Sequence, residues 1–183
     1  MNKVDLSTFE NNWYKPGNTI KRALWFLTNI IFFKCSLPYP SSFKTYLLAL
    51  FGCKIGGSVI IKNNINIKYP WFLEIGNNTW IGENVWIDNL SDIKIGENVC
   101  ISQDAFLFTG NHDYKKTSFD LVLNDIVIED CVWIGAKAVI CPGVVLGSHS
   151  VITAGSVITK KTEPYKIYQG NPARLIRERK IDA

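Results

Sequence analysis

Aliphatic residues recur at every sixth position along most of this chain. Counting from Ile55 gives Ile55, Ile61, Ile67 and Leu73, and after a two-residue insertion Ile75, Ile81, Ile87 and Ile93. A second two-residue insertion leads into Ile95, Ile101 and Leu107, and a longer interruption into Ile128, Ile134, Ile140, Leu146, Ile152 and Ile158. The residue that follows is Gly at 56, 76, 82, 96, 135 and 147. Four places after the aliphatic comes a small or β-branched residue in most repeats, among them Val59, Thr79, Ala105, Ala138 and Ser156. A period of six fits neither an α-helix nor an open strand alone. It fits a short strand plus a turn, repeated around a prism, with glycine supplying turns that need positive φ. Three units close one coil of about 18 residues, and stacked coils bury a continuous apolar column. The pattern predicts an all-β parallel β-helix over 55–162, whose first two coils, 55 to 75 and 75 to 95, are lengthened to 20 residues.

The flanks read differently. Residues 1–54 form a helical or extended segment with two apolar runs, ALWFLTNIIFF from Ala23 to Phe33 and FKTYLLALF from Phe43 to Phe51. Both fall far short of the ~20 residues that span a bilayer. They read as core or cap helices, although their aliphatic and aromatic density leaves open a weak association with a membrane surface. Residues 163–183 form a C-terminal cap. There, Asn171 as N-cap and Pro172 as first helical residue predict a short helix closing the solenoid.

The period breaks between Leu107 and Ile128, and the loop expected at 108–127 carries His112, one of two histidines. A loop extruded from a rigid coil is where function concentrates, and histidine titrates nearest neutral pH, as a general base requires. His149 falls on the fourth position of a hexapeptide, a turn, and reads as solvated. The five cysteines are odd in number and lack CxxC spacing, so reduced thiols in the cytoplasm are expected. No secretory signal is visible in the mostly polar first twenty residues. The net charge of +4 is mild and its basic residues form no long run, which gives no reason to expect nucleic acid.

The segments TGNHDY, WIGAKAVICPGVVLG, ITAGSVITK and GNPARLIR resemble the galactoside, maltose and colanic-acid acetyltransferases. The N-terminal KRALWFL and the coils YPWFLEIGNNTWIGENVWIDNL bring the resemblance nearest to the colanic-acid, or exopolysaccharide, O-acetyltransferase group. It covers nearly the whole chain. It implies a left-handed coil, a homotrimer with active sites in clefts between neighbouring chains, and transfer of acetyl from acetyl-CoA to a sugar hydroxyl in exopolysaccharide or cell-surface glycan synthesis. It also implies His112 as base, its ring held in one tautomer through the other nitrogen. By the same resemblance Trp133, Gly135, Ala136 and Ala154 line the pantetheine arm, while Thr159, Lys160, Arg174 and Arg177 meet the nucleotide end. Asp88, Asn89 and Asn111 face the acceptor. No metal is required: a three-histidine zinc site, as in β-helical carbonic anhydrases, fails on the histidine count. Acylation of an amino sugar nucleotide and a non-catalytic scaffold remain alternatives. The cytoplasm, at the inner face of the membrane if the apolar N-terminal segment binds there, is the expected location.

Overall fold

In the computed structural model, which describes residues 3–182, the chain winds as a left-handed parallel β-helix of triangular section. The first face stacks Lys54–Ile55, Leu73–Ile75, Ile93–Ile95, Ile126–Ile128 and Val145–Leu146. The second stacks Ile60–Ile61, Trp80–Ile81, Cys100–Ile101, Trp133–Ile134 and Val151–Ile152, and the third Asn66–Ile67, Trp86–Asp88, Phe106–Phe108, Val139–Ile140 and Val157–Ile158. Equivalent aliphatics pair in register, as Ile61 with Ile81, Ile81 with Ile101 and Ile134 with Ile152. Each therefore lies on its counterpart inside the prism, where nearly all are fully buried. The residue four places on, from Val59 to Ser156, is buried as well and fills the corner.

The turns differ from the sequence expectation in one respect. The glycine after the aliphatic is not the left-handed residue. Positive φ falls two positions later, at Ser58, Asn78, Asn84, Asn98, Lys137 and His149, with Asn and Asp prominent because their side chains tolerate that region. The glycines serve a different need. A Cβ on Gly76 would lie 2.5 Å from the Gly96 carbonyl carbon, and one on Gly135 would lie 2.6 Å from the Ala154 amide nitrogen. The missing side chain lets one coil settle against the next.

The two-residue insertions widen a single edge of the prism, between the third and first faces. They add a turn of 3₁₀ helix at Pro70–Phe72 and lengthen the first-face strands so that both ends of Leu73–Ile75 and Ile93–Ile95 point inward. Asn89 clamps this edge. It is 0% exposed; its carboxamide accepts from the Tyr69 amide at 3.1 Å and donates to the Tyr69 and Phe72 carbonyls at 2.6 and 3.1 Å. One coil later the same edge opens into a two-stranded antiparallel hairpin, Gly110–His112 against Leu121–Leu123. The buried Thr109 pins the hairpin's base to the preceding coil, its hydroxyl accepting from the Ser91 amide at 3.0 Å.

Both open ends are covered. At the start, helix α1 (Thr19–Thr28), capped by the Asn18 side chain, runs on into a π-helical turn at Asn29–Phe33. Trp25 donates to the Ile67 carbonyl at 2.9 Å, and Asn29 to Asn66 at 2.9 Å. Helix α2 (Ser41–Leu50) buries Lys44, whose ammonium donates to the Lys62 carbonyl at 2.7 Å and to Asn63 at 3.1 Å. Burial draws the Lys44 pKa below its usual value. Its charge satisfies carbonyls at the edge of the first coil that no further coil would meet.

At the other end the expected helix is absent. Lys166–Gly170 pairs in parallel with Val151–Ile152, and Ala173–Glu178 folds back antiparallel on it across a cis Asn171–Pro172 peptide. An unpaired edge on the second face outweighs the local N-cap signal, and Tyr168 and Ala173 join the core from this hairpin. His149 sits on a turn as expected, in the left-handed region at φ +60°, but is packed rather than solvated. Its ring stacks on Tyr165 at 4.3 Å, and its carbonyl accepts from Arg179 at 3.1 Å.

Three substitutions test this account of the coils. Gly76→Ala lowers unfolding stability by ~1–3 kcal/mol through overpacking, read as a lower urea midpoint; an unchanged midpoint contradicts the close approach. Asn89→Ala costs ~1–3 kcal/mol for each buried group it leaves unpaired, whereas Asn111→Ala, on the exposed hairpin, leaves the midpoint in place.

Candidate active site

The hairpin presents His112 half-buried at its outer pair, opposite Leu121. Its Nδ1 lies 2.9 Å from the Phe119 carbonyl oxygen. A carbonyl only accepts, so Nδ1 carries the proton and Nε2 keeps its lone pair. Phe119 also stacks its ring on the imidazole at 4.4 Å and 8°. Phe119 holds φ +53°, a conformation uncommon for a bulky side chain, and the pair fixes both ring plane and tautomer. From the N-terminal segment, Phe9 closes the other side with ring centroids 5.8 Å apart. That segment meets the hairpin and the widened edge at three further points. Asp5 donates its amide to the Thr117 carbonyl at 2.9 Å, the Tyr14 hydroxyl donates to the Leu90 carbonyl at 2.8 Å, and Pro16 accepts from the Trp71 indole at 2.9 Å. Burial holds the Tyr14 phenol well above its usual pKa, so it stays a neutral donor.

The three residues expected to face an acceptor divide. Asp88 is half-buried at the same edge, one coil before the hairpin, with its Oδ1 3.4 Å from the Lys68 ammonium. Asn111 is exposed, and its carboxamide oxygen accepts from the His112 amide at 2.8 Å. Asn89 does not face solvent: its carboxamide is occupied by Tyr69 and Phe72, so its role is the clamp described above, not recognition. Among the aromatic side chains of the first two coils, Tyr69 is buried and stacks on Trp71, while Trp80 and Trp86 are exposed.

The residues expected at an acyl donor fall on two edges of the prism. Trp133 is 48% exposed on the second face, its indole donating to the Ser102 hydroxyl at 3.0 Å. Strand register carries a line from Trp133 through Val151 and Ile167 to Arg177, three steps of ~4.8 Å. Ala136 and Ala154 lie at the corner beyond this face, with Ala136 accepting from the Gly155 amide at 2.8 Å. Gly135 is buried against the following coil, so repeat packing accounts for it. Arg177 borders a groove of about 400 Å³ shared with Ile167, Arg179 and Lys180. Arg174 lies on the same terminal hairpin, opposite Gln169. Thr159 and Lys160 follow the third face, at the corner from which the His112 hairpin emerges two coils earlier. Among the described residues Lys160, Arg174 and Arg177 have no ion-pair partner, which leaves cationic charge for a phosphate.

The cysteines are free, and burial raises the thiols of Cys53, to about 12, and of Cys100 and Cys141, so none of these three is a thiolate nucleophile near neutral pH. No group of three metal-ligating side chains forms among the described residues. The interruption of the repeat singles out His112 but not the residues that hold it. Phe119 acts through its backbone carbonyl, which no side-chain pattern reveals, and Phe9 lies a hundred residues upstream.

The family model for bacterial transferase hexapeptides (six repeats) matches residues 125–160. A protein of Escherichia coli (strain K12) named for acetyl transfer in colanic acid biosynthesis, WcaF, is 36% identical over 176 residues, covering 96% of this chain and 97% of its own. The galactoside O-acetyltransferase of the same organism is 34% identical over 128 residues, covering 68% of this chain and 63% of that protein. The structure of a hexapeptide-repeat acetyltransferase from Vibrio cholerae, complexed with acetyl coenzyme A, superposes with a TM-score of 0.79 at 27% identity and covers 88% of each chain. Coil, interruption and these relationships agree: the chain belongs to the hexapeptide-repeat acetyltransferase family.

Proposed function

We propose that this protein is an O-acetyltransferase that moves an acetyl group from acetyl-CoA to a sugar hydroxyl in exopolysaccharide or cell-surface glycan biosynthesis. The observation that carries the reading is the imidazole of His112, whose Nδ1 is committed to the Phe119 carbonyl. Its Nε2 is then the free base that takes the acceptor hydroxyl's proton as the oxygen attacks the thioester carbonyl. The carbon–sulfur bond breaks and the imidazolium returns the proton to the departing CoA sulfur, so the enzyme ends as it began. The related sequences supply the substrate class, and a neighbour complexed with acetyl coenzyme A supports the donor.

A homotrimer in the cytoplasm completes the proposal. Within one chain the His112 hairpin and the line from Trp133 to Arg177 occupy different parts of the prism. A cleft between two copies would bring the hairpin of one against the second face of the next. The exposed Trp80, Trp86 and Trp133, with Phe106 tilted against Trp86 at 4.7 Å and stacked on Phe108 at 4.9 Å, would give such a contact its apolar surface. In that cleft Ala136 and Ala154 would allow the pantetheine arm close to the backbone. Lys160, Arg174 and Arg177 would meet its phosphates, with Thr159 beside Lys160. Asp88 and Asn111 would border the acceptor.

His112→Ala lowers kcat by ~10²–10⁴-fold and leaves the thermal midpoint and assembly size unchanged; turnover at the wild-type rate would refute the base. Lys160→Ala and Arg177→Ala raise KM for acetyl-CoA more than KM for the acceptor, and equal effects on both would displace the nucleotide end from these residues.

A further inference from the structure

Helix α1 and the π-helical turn that continues it are apolar on two faces. Trp25, Asn29 and Phe33 turn inward onto the first coil. On the opposite side Ile20, Leu24, Leu27 and Ile31 follow one another at the spacing of a single helical stripe, and all four are at least half exposed. Leu50 of α2 extends the stripe across a groove that it shares with Ile20, Lys21 and Leu24. No capping role uses these side chains, since the cap is made by the inner face.

Charge selects what would cover this surface. Between Glu10 and Glu74 the chain contains no Asp or Glu but eight Lys or Arg, whereas the whole chain carries only +4. The cations flank the stripe. On one side Lys21 lies over the Trp71 ring at 4.5 Å. On the other, Arg22, Lys34 and Lys68 line a groove of about 690 Å³ together with Phe26 and Ile30. Lys68 is paired with Asp88; Lys21, Arg22 and Lys34 have no ion-pair partner among the described residues. Pairing α1 with α1 of a second copy would set these cations against their own counterparts with no carboxylate between them. An anionic surface with an apolar interior meets both the charge and the stripe.

We propose that the outer face of α1 is a docking surface for an anionic lipid bilayer, with the helix lying flat, its aliphatic stripe among the acyl chains and Lys21, Arg22 and Lys34 at the phosphate level. No helix among the described residues is long and apolar enough to cross a membrane, so the contact is interfacial. This inference stands independently of acyl transfer.

The test is co-sedimentation of the full-length protein with vesicles of phosphatidylcholine alone or mixed with phosphatidylglycerol. Binding to the mixed vesicles exceeds that to phosphatidylcholine by at least ~10-fold and falls with added salt. The Leu24→Gln/Leu27→Gln/Ile31→Gln variant, which keeps every charge, loses it while retaining the wild-type thermal midpoint. Lys21→Gln/Arg22→Gln, which keeps the stripe, weakens it. Absence of binding to mixed vesicles at low salt overturns the proposal, as does binding that the triple variant leaves intact. A wild-type protein that ignores vesicles but dissociates into smaller species on the triple substitution would identify a second copy as the occupant instead.

Discussion

Each coil must bond to the next along three strands at once, and this constraint governs everything else in the molecule. The amide after the aliphatic reaches the carbonyl of the equivalent aliphatic one coil on, from Gly56 to Ile75, Gly76 to Ile95, Gly96 to Ile128 and Gly135 to Ile152, at 2.7 to 2.8 Å each time. Such a lattice fixes the perimeter of the prism. It admits no side chain at the closest approaches and no extra residue along a face, so additional chain can leave only at a corner. Two extra residues are absorbed there and clamped by Asn89. The larger insertion that follows cannot be absorbed and stands out as the hairpin of His112.

The site inherits its rigidity from that arrangement. The hairpin is anchored through Thr109, backed by the N-terminal segment at Thr117, and its histidine is held between Phe119 and Phe9. On the proposed function, an imidazole so fixed would lose little orientational freedom when a hydroxyl arrives, the condition under which positioning contributes most to rate. Of the residues expected at an acyl donor, Trp133 and Arg177 lie on the second face, away from the hairpin, whereas Thr159 and Lys160 lie at the hairpin's own corner two coils on.

Much of this was legible in the sequence because the buried column repeats at a fixed period, and every Ile or Leu of that period lies where the period puts it. The loop and His112 were legible as a break in the same period. What escaped has physical causes in common. Gly76 and its equivalents look like turn residues, but their constraint comes from the neighbouring coil. Asn171-Pro172 carries a local helix-start signal that an unpaired strand edge at Val151–Ile152 overrides. Asn89 looks like a polar side chain offered to a ligand until Tyr69 and Phe72 are seen around it. Phe119 contributes a carbonyl, which has no signature in residue type.

The account rests on one protonation pattern, a proton on Nδ1 and a lone pair on Nε2 of His112. Long-range proton–nitrogen NMR spectra of histidine-labelled protein, assigned through His112→Gln, measure it directly. In the neutral ring the account predicts the Nδ1–H tautomer for His112, and a ring protonated on Nε2 would contradict it.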